Sequence, residues 1–421
     1  MTTVLIGSAV AAVLVVFTYT LGMFLEGVLH RPPARRRVRP DLRVVYLVPC
    51  LNEEQVIGET IRRLAAEARW DDVILVVDDG SDDGTAEVVE SFPDLRVRLV
   101  RRSLPDARQG KGAALNHAIA ELPAGVDPAN TVVCLMDADG RLDPDALDTA
   151  LSGFADPKVT AVQIAVRIGN RSDGILARLQ DMEFVIHSRI FQRTRGRLGA
   201  AGLGGNGQFV RLSALRALGD EPWSDGLTED LELGIRLVLD GGQTVSMPDA
   251  SVHQQGLVRF GRLIRQRSRW FQGHVQAWRL VPAVRRTARG RVALDLLHIL
   301  LSPLLIFVGS FMTLSLVASV VGACFSASAR EQLLQPVPLV SWYVLTFAPA
   351  LLFGPLYARA TGELGILRSL VYGHLFIAYG LIWLVAGWWG LARALGGRRA
   401  WLKTERLAEV PDRAATERAT G

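Results

Sequence analysis

Paired carboxylates follow two apolar runs of the sequence. Asp78 and Asp79 end one run, and Asp137 and Asp139 follow another with one small residue between them. Hard cations such as Mg²⁺ and Mn²⁺ need oxygen ligands and usually bridge one or two carboxylates to substrate phosphates. Asp137 and Asp139 fit that need, although their spacing is common by chance. Asp78 and Asp79 could accept hydrogen bonds from a base or ribose, lie near a metal, or form an Asp-rich turn before a capped helix.

Two further segments place polar groups at predicted helix starts. Pro49 and Glu53 belong to a turn after the first apolar run, and Lys111 lies between Gly110 and Gly112. The N-terminus of a helix offers free N–H groups, and flanking glycines allow close approach to phosphate. The first segment could equally be acidic capping of a helix, and the second a solvated helix start. The Lys111 segment lacks the spacing and the Ser/Thr of a P-loop.

An acidic helix start is a candidate for the group that accepts a proton. Thr228, Glu229 and Asp230 precede an apolar helical stretch. Burial raises the pKa of a carboxyl group, and such a group can act as general base. The alternative is that Thr228 caps a helix whose first turn is acidic.

A basic amphipathic stretch at 257–290 contains Arg269 and Trp270. Arg269 could neutralise a leaving diphosphate, because its planar guanidinium pairs with phosphate oxygens. Trp270 offers a flat apolar face to a sugar ring. Interfacial anchoring is the alternative for both residues. Arg265 and Arg267 are predicted to face lipid or to be structural.

Short β-rich runs alternate with helical stretches between residues 41 and 250. This alternation predicts a mostly parallel sheet with helices on both faces, in which ligands bind at the carboxyl ends of the strands. The acidic motifs lie at those ends. The predicted strands are Val44–Val48, Val73–Val77, Val97–Val100, Val132–Met136 and Thr160–Ala165, and the predicted helices lie near 54–68, 84–91, 112–122 and 144–153.

The composition indicates a soluble part and a membrane part in one chain. Hydrophobic residues make up 49% of the 421 residues, yet charged residues still make up 21%. A bilayer span needs about 20 apolar residues. The first apolar run lacks the basic n-region of a signal peptide, and the basic flank after it puts residues 31 onward in the cytosol and the N-terminus outside. Apolar segments lie at 4–29, 292–325, 338–358 and 366–395.

The topology of the C-terminal part stays open in the sequence. Three spans after a cytosolic domain would leave the C-terminus outside, whereas the basic residues at 393–406 argue for inside. A re-entrant or interfacial segment, a hairpin within 292–325, or a failure of the charge rule would each remove the conflict. The net charge is +5, but the arginines cluster beside apolar segments. Membrane lipids, and not nucleic acid, are therefore the expected partners of these arginines.

The ordered set of motifs resembles the family 2 glycosyltransferases. More narrowly, it is similar to the membrane-bound cellulose, hyaluronan, chitin-oligosaccharide and poly-N-acetylglucosamine synthases. The similarity covers roughly residues 44–270. One such motif would be weak evidence for the family, whereas four motifs in order are strong evidence for it. The matching pieces are Asp78-Asp79-Gly80, Asp137-Ala138-Asp139, Thr228-Glu229-Asp230 and Gln266-x-x-Arg269-Trp270.

The resemblance implies an α/β fold of the GT-A type, Rossmann-like with a mostly parallel mixed sheet, and a role for each motif. Asp230 would be the catalytic base, with Glu229 beside it. Asp137 and Asp139 would hold Mg²⁺ or Mn²⁺. The implied donor-binding residues are Pro49, Glu53, Asp78, Asp79, Lys111, Asp137 and Arg269. The implied acceptor-binding residues are Gln266, Trp270, Gly205 and Asn206.

The reaction implied by the resemblance is inverting transfer of a sugar from a nucleotide-sugar, by family habit a UDP-sugar. The acceptor is either a growing β-linked polysaccharide or, alternatively, a single lipid such as a polyprenyl phosphate or glycolipid. An accessory export or assembly subunit is a possible partner. A subunit that has lost catalysis would lack a base or a metal ligand, and the presence of Asp137, Asp139 and Asp230 disfavours it.

The expected organisation has five parts in an integral protein of the bacterial plasma membrane, with its catalytic domain in the cytosol. They are a transmembrane helix at 1–30, a GT-A domain at 31–255, amphipathic interface helices at 256–291, transmembrane segments at 292–396 and a polar tail at 397–421.

Overall fold

The computed structural model describes residues 2–29, 41–123 and 125–397. The basic flank at 31–39 and the tail from 398 onward, with its Trp401-to-Arg406 motif, lie outside the described residues. Apolar runs of β-branched residues form the central strands, because such side chains pack well on a sheet buried on both faces. The strands are β1 (Arg43–Cys50), β2 (Val73–Asp78), β3 (Val97–Arg101), β4 (Thr131–Leu135), β5 (Arg141–Leu142), β6 (Val159–Ile168), β7 (Gln208–Arg211) and β8 (Gln243–Gln254).

The helices surround this sheet and continue beyond it. Those of the first half are α1 (Thr2–Leu29), α2 (Ile57–Glu67), α3 (Thr85–Glu90), α4 (Lys111–Ala120), α5 (Ala146–Ser152), α6 (Ile175–Ile186), α7 (Arg193–Arg197), α8 (Leu212–Ala217) and α9 (Glu229–Leu239). Those of the second half are α10 (Phe260–Gln276), α11 (Val281–Thr287), α12 (Gly290–Leu301), α13 (Leu305–Phe325), α14 (Ala327–Leu334), α15 (Pro336–Phe347), α16 (Ala350–Thr361), α17 (Ile366–Tyr379) and α18 (Leu381–Leu395).

The strands form one mixed sheet in the order β3-β2-β1-β4-β7-β6-β8-β5. The pairs β1–β2, β1–β4, β2–β3 and β6–β8 are parallel, and β4–β7, β6–β7 and β5–β8 are antiparallel. The mixed α/β sheet predicted from the sequence is therefore confirmed. All five predicted strands are present, whereas β5, β7 and β8 were missed. β5 and β7 are very short, and β8 contains polar residues and Pro248.

Two hydrophobic clusters cover the two faces of the sheet. Alternate residues of β1 point to opposite sides: Tyr46 belongs to one cluster and Leu47 to the other. Ile57 and Ile61 of α2 pack on the first face, and Leu115 of α4 packs on the second. A sheet sandwiched in this way is rigid, so it fixes the loops at the carboxyl ends of β1, β2 and β4.

The C-terminal helices pack directly onto the catalytic part of the chain. Tyr357 of α16 is fully buried beside Val185 and Ile190, and Tyr379 of α17 is buried beside Leu263 of α10. Two helical stretches, Gly290–Phe325 and Ile366–Leu395, are long and apolar enough to cross a membrane. This finding indicates membrane association. The predicted segment 338–358 is instead two short helices, α15 and α16, separated at residues 348–349.

Close approach of α18 to α10 depends on a glycine. A Cβ added at Gly390 would lie 2.5 Å from the Ser268 carbonyl oxygen, so the two helices would have to separate. We expect Gly390→Ala to destabilise the protein by about 1–3 kcal/mol, as overpacking does. Thermal unfolding of the protein in lipid nanodiscs would measure this loss. The matched control is Gly261→Ala on α10, where an added Cβ meets nothing within 4 Å. An equal loss in both variants would contradict the packing argument.

Candidate active site

The predicted motifs converge on one cavity at the carboxyl ends of the central strands. Its volume is about 990 Å³. Thirteen of the fourteen residues predicted from the sequence line it, and Asp78 does not. The lining residues are Pro49, Glu53, Asp79, Lys111, Asp137, Asp139, Gly205, Asn206, Glu229, Asp230, Gln266, Arg269 and Trp270.

The two carboxylates at the end of β2 have different surroundings. Asp78 is fully buried, accepts a hydrogen bond from the Ser81 N–H at 2.8 Å and pairs with Arg101. It therefore holds the turn that begins at Gly80. Asp79 lines the cavity and pairs with Arg102. Burial raises the pKa of Asp79, against the lowering effect of its hydrogen bonds to Arg108 and Arg102.

Glu53 and Pro49 lie at the same edge of the cavity as Asp79. Pro49 is in β1 opposite Val77, and the Glu53 N–H donates to the Thr85 hydroxyl at 2.8 Å. The turn after β1 is thus tied to the start of α3. Asp79 Oδ2 is buried without a hydrogen-bond partner among the described residues. That oxygen is available to a donor group such as the N–H of a nucleobase.

Lys111 joins the glycine-flanked helix start to the second acidic motif. Its Nζ donates to Asp137 Oδ1 and to the Gly205 carbonyl oxygen, each at 2.9 Å. Burial by itself would lower the pKa of Lys111, but the carboxylates of Asp137 and Glu229 outweigh it and raise that pKa. Lys111 is therefore a fixed cation inside the cavity.

Asp137 and Asp139 suit a divalent cation that a substrate helps to hold. Asp139 is almost fully buried, and its Oδ2 accepts the Gln255 N–H at 3.0 Å. Among the described residues there is no group of three His, Cys, Asp or Glu side chains able to hold a metal. Mg²⁺ is usually bound by one or two carboxylates, and substrate phosphates and waters complete its coordination. Asp137 and Asp139 therefore fit this ion.

Gly205 and Asn206 shape the floor of the cavity. A Cβ at Gly205 would lie 3.1 Å from Lys111 Nζ and 3.4 Å from Asp230 Oδ2, so the missing side chain keeps this space open. Asn206 is buried, and its side chain accepts the Asp137 N–H and donates to Gln254. These internal bonds give Asn206 a positioning role beside Asp137 in addition to the predicted contact with acceptor.

Glu229, which is buried, and Asp230, which is half-buried, form a like-charge pair at the start of α9. Burial, with Asp230 second, raises the pKa of Glu229 to about 7. Burial also raises the pKa of Asp230, against the Leu231 N–H that donates to its Oδ1 at 2.7 Å. The pair sits opposite Lys111, whose charge favours the ionised form of both. Such a pair is well suited to accept a proton near neutral pH.

Arg269 faces the same carboxylates from α10. Burial lowers the pKa of its guanidinium, and the charges of Glu229, Asp137 and Asp230 act in the opposite direction. α10 also fixes the acidic helix start, because the Leu227 N–H donates to Gln276 Oε1 at 3.1 Å. Lys111 and Arg269 therefore both act on the carboxylates of Asp137, Glu229 and Asp230 inside the cavity.

Arg267 is not lipid-facing, because it is fully buried between catalytic and C-terminal helices. Its Nη2 pairs with Glu183 Oε2 at 2.7 Å, and its guanidinium lies 4.0 Å from the centre of the Trp270 ring. Glu183 also accepts hydrogen bonds from Tyr379 at 2.7 Å and from Trp383 at 2.8 Å. The structural role that the sequence allowed for Arg267 is thus confirmed, and it is to hold Trp270 in place.

The cavity extends beyond the predicted residues toward the membrane helices. Its far end is lined by side chains of α1, α7, α12 and the helical turn after α6. Sequence reasoning missed these residues, which include His187, Arg195, His274 and His298. Their positions carry no motif, and only the folded chain brings them together.

A sequence model of the family described as "Glycosyltransferase like family 2" matches residues 40–273. This match covers more than half of the chain and all of the acidic motifs. The chain belongs to the family 2 glycosyltransferases. The glycosyltransferase predicted from the motifs is therefore confirmed as to family.

Relatives of this transferase include enzymes with different acceptors. The chain is 32% identical over 247 residues to the beta-monoglucosyldiacylglycerol synthase of a Synechocystis species, covering 57% of this chain and 49% of the relative. It is 31% identical over 244 residues to the poly-beta-1,6-N-acetyl-D-glucosamine synthase of Staphylococcus aureus, covering 56% and 57%. The chain thus spans about half the length of the curated relatives it matches.

A solved structure shares the fold of the transferase over nearly its whole length. It is a mannosyltransferase from Pyrobaculum calidifontis in complex with GDP-mannose and Mn²⁺, with a TM-score of 0.57 and 20% sequence identity. The match covers 93% of this chain and 98% of that chain. The GT-A fold predicted from the sequence is confirmed by this likeness.

Removal of the buried cation tests the role of Arg267. We expect Arg267→Met to destabilise the protein on the order of 3 kcal/mol, because Glu183 would be left without its ion pair. The thermal unfolding temperature in nanodiscs and the rate of nucleotide-sugar turnover would be measured, and we expect both to fall. Arg265→Met, an exposed arginine on the same helix, is the control and should change neither. A turnover unaffected by Arg267→Met would contradict the positioning of Trp270.

The raised pKa of Glu229 makes stability depend on pH. Between its ordinary value of 4.5 and about 7, the folded protein holds a proton that the unfolded chain has lost. The stability that this proton contributes is therefore lost as pH rises through that window. We expect Glu229→Gln to be more stable than the parent at pH 8, on the order of 2 kcal/mol, and equal to it at pH 4.5. Unfolding would be measured in EDTA. A Glu229→Gln variant that is less stable than the parent at pH 8 would refute the raised pKa of Glu229.

Proposed function

We propose that the protein transfers a sugar from a nucleotide-sugar to an acceptor hydroxyl with inversion at the anomeric carbon. The observation that carries this proposal is the convergence of Lys111, Arg269, the Asp137–Asp139 motif and the Glu229–Asp230 pair on one cavity. Cations for a diphosphate, oxygen ligands for a metal and a candidate base are the groups that such a transfer needs.

The donor is proposed to lie between β2 and α10. The buried Asp79 Oδ2 would accept a hydrogen bond from the base, with Pro49 and Glu53 alongside. Lys111 and Arg269 would pair with the diphosphate, for which their fixed positive charges are suited. UDP is the proposed nucleotide. Asp137 and Asp139 would hold Mg²⁺ or Mn²⁺, which supplies further positive charge to the diphosphate when bound.

The chemical step is proposed to need one base. Asp230 removes the proton of the acceptor hydroxyl while its oxygen forms a bond to the anomeric carbon. The bond from that carbon to the diphosphate oxygen breaks, and its electron pair leaves with the nucleoside diphosphate. Lys111 and Arg269 stabilise the negative charge that grows there. Attack opposite the leaving group turns an α-linked donor into a β-linked product.

The acceptor is proposed to be a lipid. The cavity continues from the carboxylates to Phe191, Ile299 and Leu305, which belong to or adjoin the helices that lead to the candidate spans. An apolar passage of this kind suits an acceptor that stays in the membrane. The lipid synthase from Synechocystis fits this proposal.

Elongation of a β-linked polysaccharide is the second candidate. The Gln266-to-Trp270 motif favours it, because Gln266 and Trp270 both line the cavity where a sugar ring would stack. The polysaccharide synthase from Staphylococcus aureus fits this reading. An accessory export or assembly subunit would then complete a path through the membrane.

Contacts at both ends of the α17–α18 pair support a membrane placement. Glu363, just before α17, pairs with Arg171 at 2.5 Å, and Arg393, at the end of α18, bonds to Gln272 at 3.0 Å. Both partners belong to the catalytic side. We therefore propose that residues 366–395 lie along the cytosolic face of the plasma membrane, which places the C-terminus inside and removes the topological conflict. α1 and α13 are the proposed spans, with α15 and α16 returning the chain.

The proposed domain limits follow from this placement. They are a span at 1–30, a cytosolic GT-A domain at 31–255, interface helices at 256–291, further membrane segments at 292–396 and a tail at 397–421. Exposed arginines on α10 and α11, among them Arg265 and Arg286, support contact with anionic lipid headgroups.

Nucleoside diphosphate release tests the proposed function. The protein in nanodiscs would be given a panel of nucleotide-sugars with Mg²⁺ or Mn²⁺, and with a short-chain diacylglycerol or an oligosaccharide as acceptor. We expect metal-dependent release from one donor, and Asp230→Asn should lower it about 10²–10⁴-fold. Asp139→Ala should abolish the response to metal.

The matched control is Asp220→Asn, an exposed carboxylate outside the cavity, which should retain full activity. A single added sugar on the lipid supports the first acceptor, and a ladder of sizes supports the second. Full activity of the Asp230→Asn variant would exclude Asp230 as the base. Nucleoside diphosphate release that is unaffected by EDTA would exclude a role for a divalent metal.

A further inference from the structure

The membrane-side end of the cavity is built around a π-helical turn. Residues His187–Gln192 form this turn between α6 and α7, so the chain stays helical but gains an extra residue in the turn. His187, Ser188 and Phe191 of the turn line the cavity. π-turns occur frequently at functional sites because they turn side chains away from the regular helical register.

Several polar groups at this end are available to a ligand. The His187 ring is exposed to the cavity, and among the described residues neither its nitrogens nor the Ser188 hydroxyl makes a hydrogen bond. His274 Nδ1 donates to the Trp270 carbonyl oxygen at 3.1 Å, which leaves its Nε2 as an acceptor. Donors and acceptors are therefore both present, and His274 lies one helical turn after Trp270.

The charge of Arg195, the cation that lines this end, is already balanced. Arg195 Nε donates to Asp295 Oδ1 at 3.3 Å, and both side chains are buried. Arg195 Nη2 also donates to His298 Nδ1 at 3.1 Å. Because an arginine can only donate, His298 must carry its proton on Nε2, which donates to Thr20 Oγ1 at 2.8 Å. His298 is thus a neutral ring.

The remaining histidines are neutral as well. Desolvation inside the cavity, with the charges of Arg195 and His274, lowers the pKa of His187 to about 4. Desolvation also lowers the pKa of His274. Among the residues that the structure describes, a phosphate would find no uncompensated positive charge here, in contrast to the Lys111 and Arg269 end. Hydroxyl groups, which both donate and accept, match the free nitrogens and the serine.

Apolar side chains enclose these polar groups on the side toward the membrane. Phe191, Ile299 and Leu305 line the cavity, and Leu305 begins α13. The chain breaks its helical run at Ser302–Leu304 at the same place. A ligand that reached His187 from the bilayer would keep its apolar part against these side chains.

We propose that His187, Ser188 and His274 form a subsite for the uncharged, hydroxyl-bearing head of an acceptor whose apolar body lies against Phe191 and Leu305. The proposal rests on the proposed function and specifies its acceptor: a glycerolipid or glycolipid head, and not a lipid phosphate. The head would enter the cavity from the membrane side and present a hydroxyl to Asp230. The π-turn determines which head group binds, because it carries His187 and Ser188.

Photo-crosslinking tests the subsite without requiring turnover. Asp230→Asn protein in nanodiscs would be irradiated with diazirine-tagged dioctanoylglycerol, and labelled peptides would be mapped by mass spectrometry. We expect label on peptides containing Phe191 or Leu305. Unlabelled dioctanoylglycerol should compete, and farnesyl phosphate at the same concentration should not.

Substitutions test whether the photo-crosslinking depends on His187 and Ser188. His187→Phe keeps a ring but removes its hydrogen bonds, and we expect competable labelling to fall about fivefold, as the loss of one hydrogen bond predicts. Ser188→Ala should give a smaller decrease. His117→Phe on α4, exposed and outside the cavity, is the control and should have no effect. Thermal unfolding of each variant verifies that it is folded.

The outcomes separate this subsite from the transferase activity. Labelling that is unchanged in both His187→Phe and Ser188→Ala, or that farnesyl phosphate competes best, would overturn the subsite even if nucleoside diphosphate release is intact. Labelling that depends on His187, in a protein that releases no nucleoside diphosphate from any donor, would support the subsite and overturn the proposed reaction. In active protein, His187→Phe should raise the KM for dioctanoylglycerol about fivefold and leave the KM for the donor unchanged.

Discussion

The structure depends on the mutual compensation of charges buried at one edge of the sheet. Asp137 and the adjacent pair Glu229 and Asp230 come from two separate segments and would repel one another in a cavity of low polarity. Lys111 and Arg269 lie among them, and Lys111 is bonded to both Asp137 and the Gly205 backbone. Each element that carries one of these charges must therefore occupy a fixed position. Burial still raises the pKa of Glu229, so the compensation is incomplete.

A second buried charge connects this edge to the C-terminal helices. Arg267 holds Glu183 and stacks on Trp270, while Tyr379 and Trp383 complete the hydrogen bonds of Glu183. A buried ion pair of this kind adds little net stability but is costly to break. It therefore fixes the relative positions of α6, α10 and α18. The wall of the active site that contains Trp270 is in this way shared between the catalytic domain and the membrane-associated helices.

The two ends of the cavity differ in charge. The proposed donor end has Lys111 and Arg269, which match a diphosphate, whereas Arg195 at the membrane end is balanced by Asp295. Neutral histidines and apolar side chains occupy the rest of that end. This difference would give the proposed donor and the proposed acceptor separate chemical environments within one continuous space that also contains Asp230.

The sequence predicted the strands that are buried on both faces, because a fully buried strand must be an apolar run and such runs are visible without a structure. β1, β2, β4 and β6 were found in this way, whereas β3 is a half-exposed edge strand that was found from its Val and Leu residues. The sequence did not predict β7, which has only four residues, or β8, which contains polar residues and Pro248. The motif spacing also predicted which residues would line the cavity, because side chains that follow parallel strands must meet at one edge of the sheet.

Local sequence could not separate Asp78 from Asp79, or Arg267 from Arg265. Neighbouring side chains on a strand point to opposite faces, and those on a helix point about 100° apart, so which one is buried depends on what packs against the element. The membrane end of the cavity depends on tertiary structure for the same reason. His187 and Arg195 lie far from His274 and His298 in the chain, and the four residues form no motif. The sequence by itself determined the family, the central sheet and the charged groups of the donor end. Only the packing of α1, α7, α10 and α12 around the π-turn decided what the other end can bind.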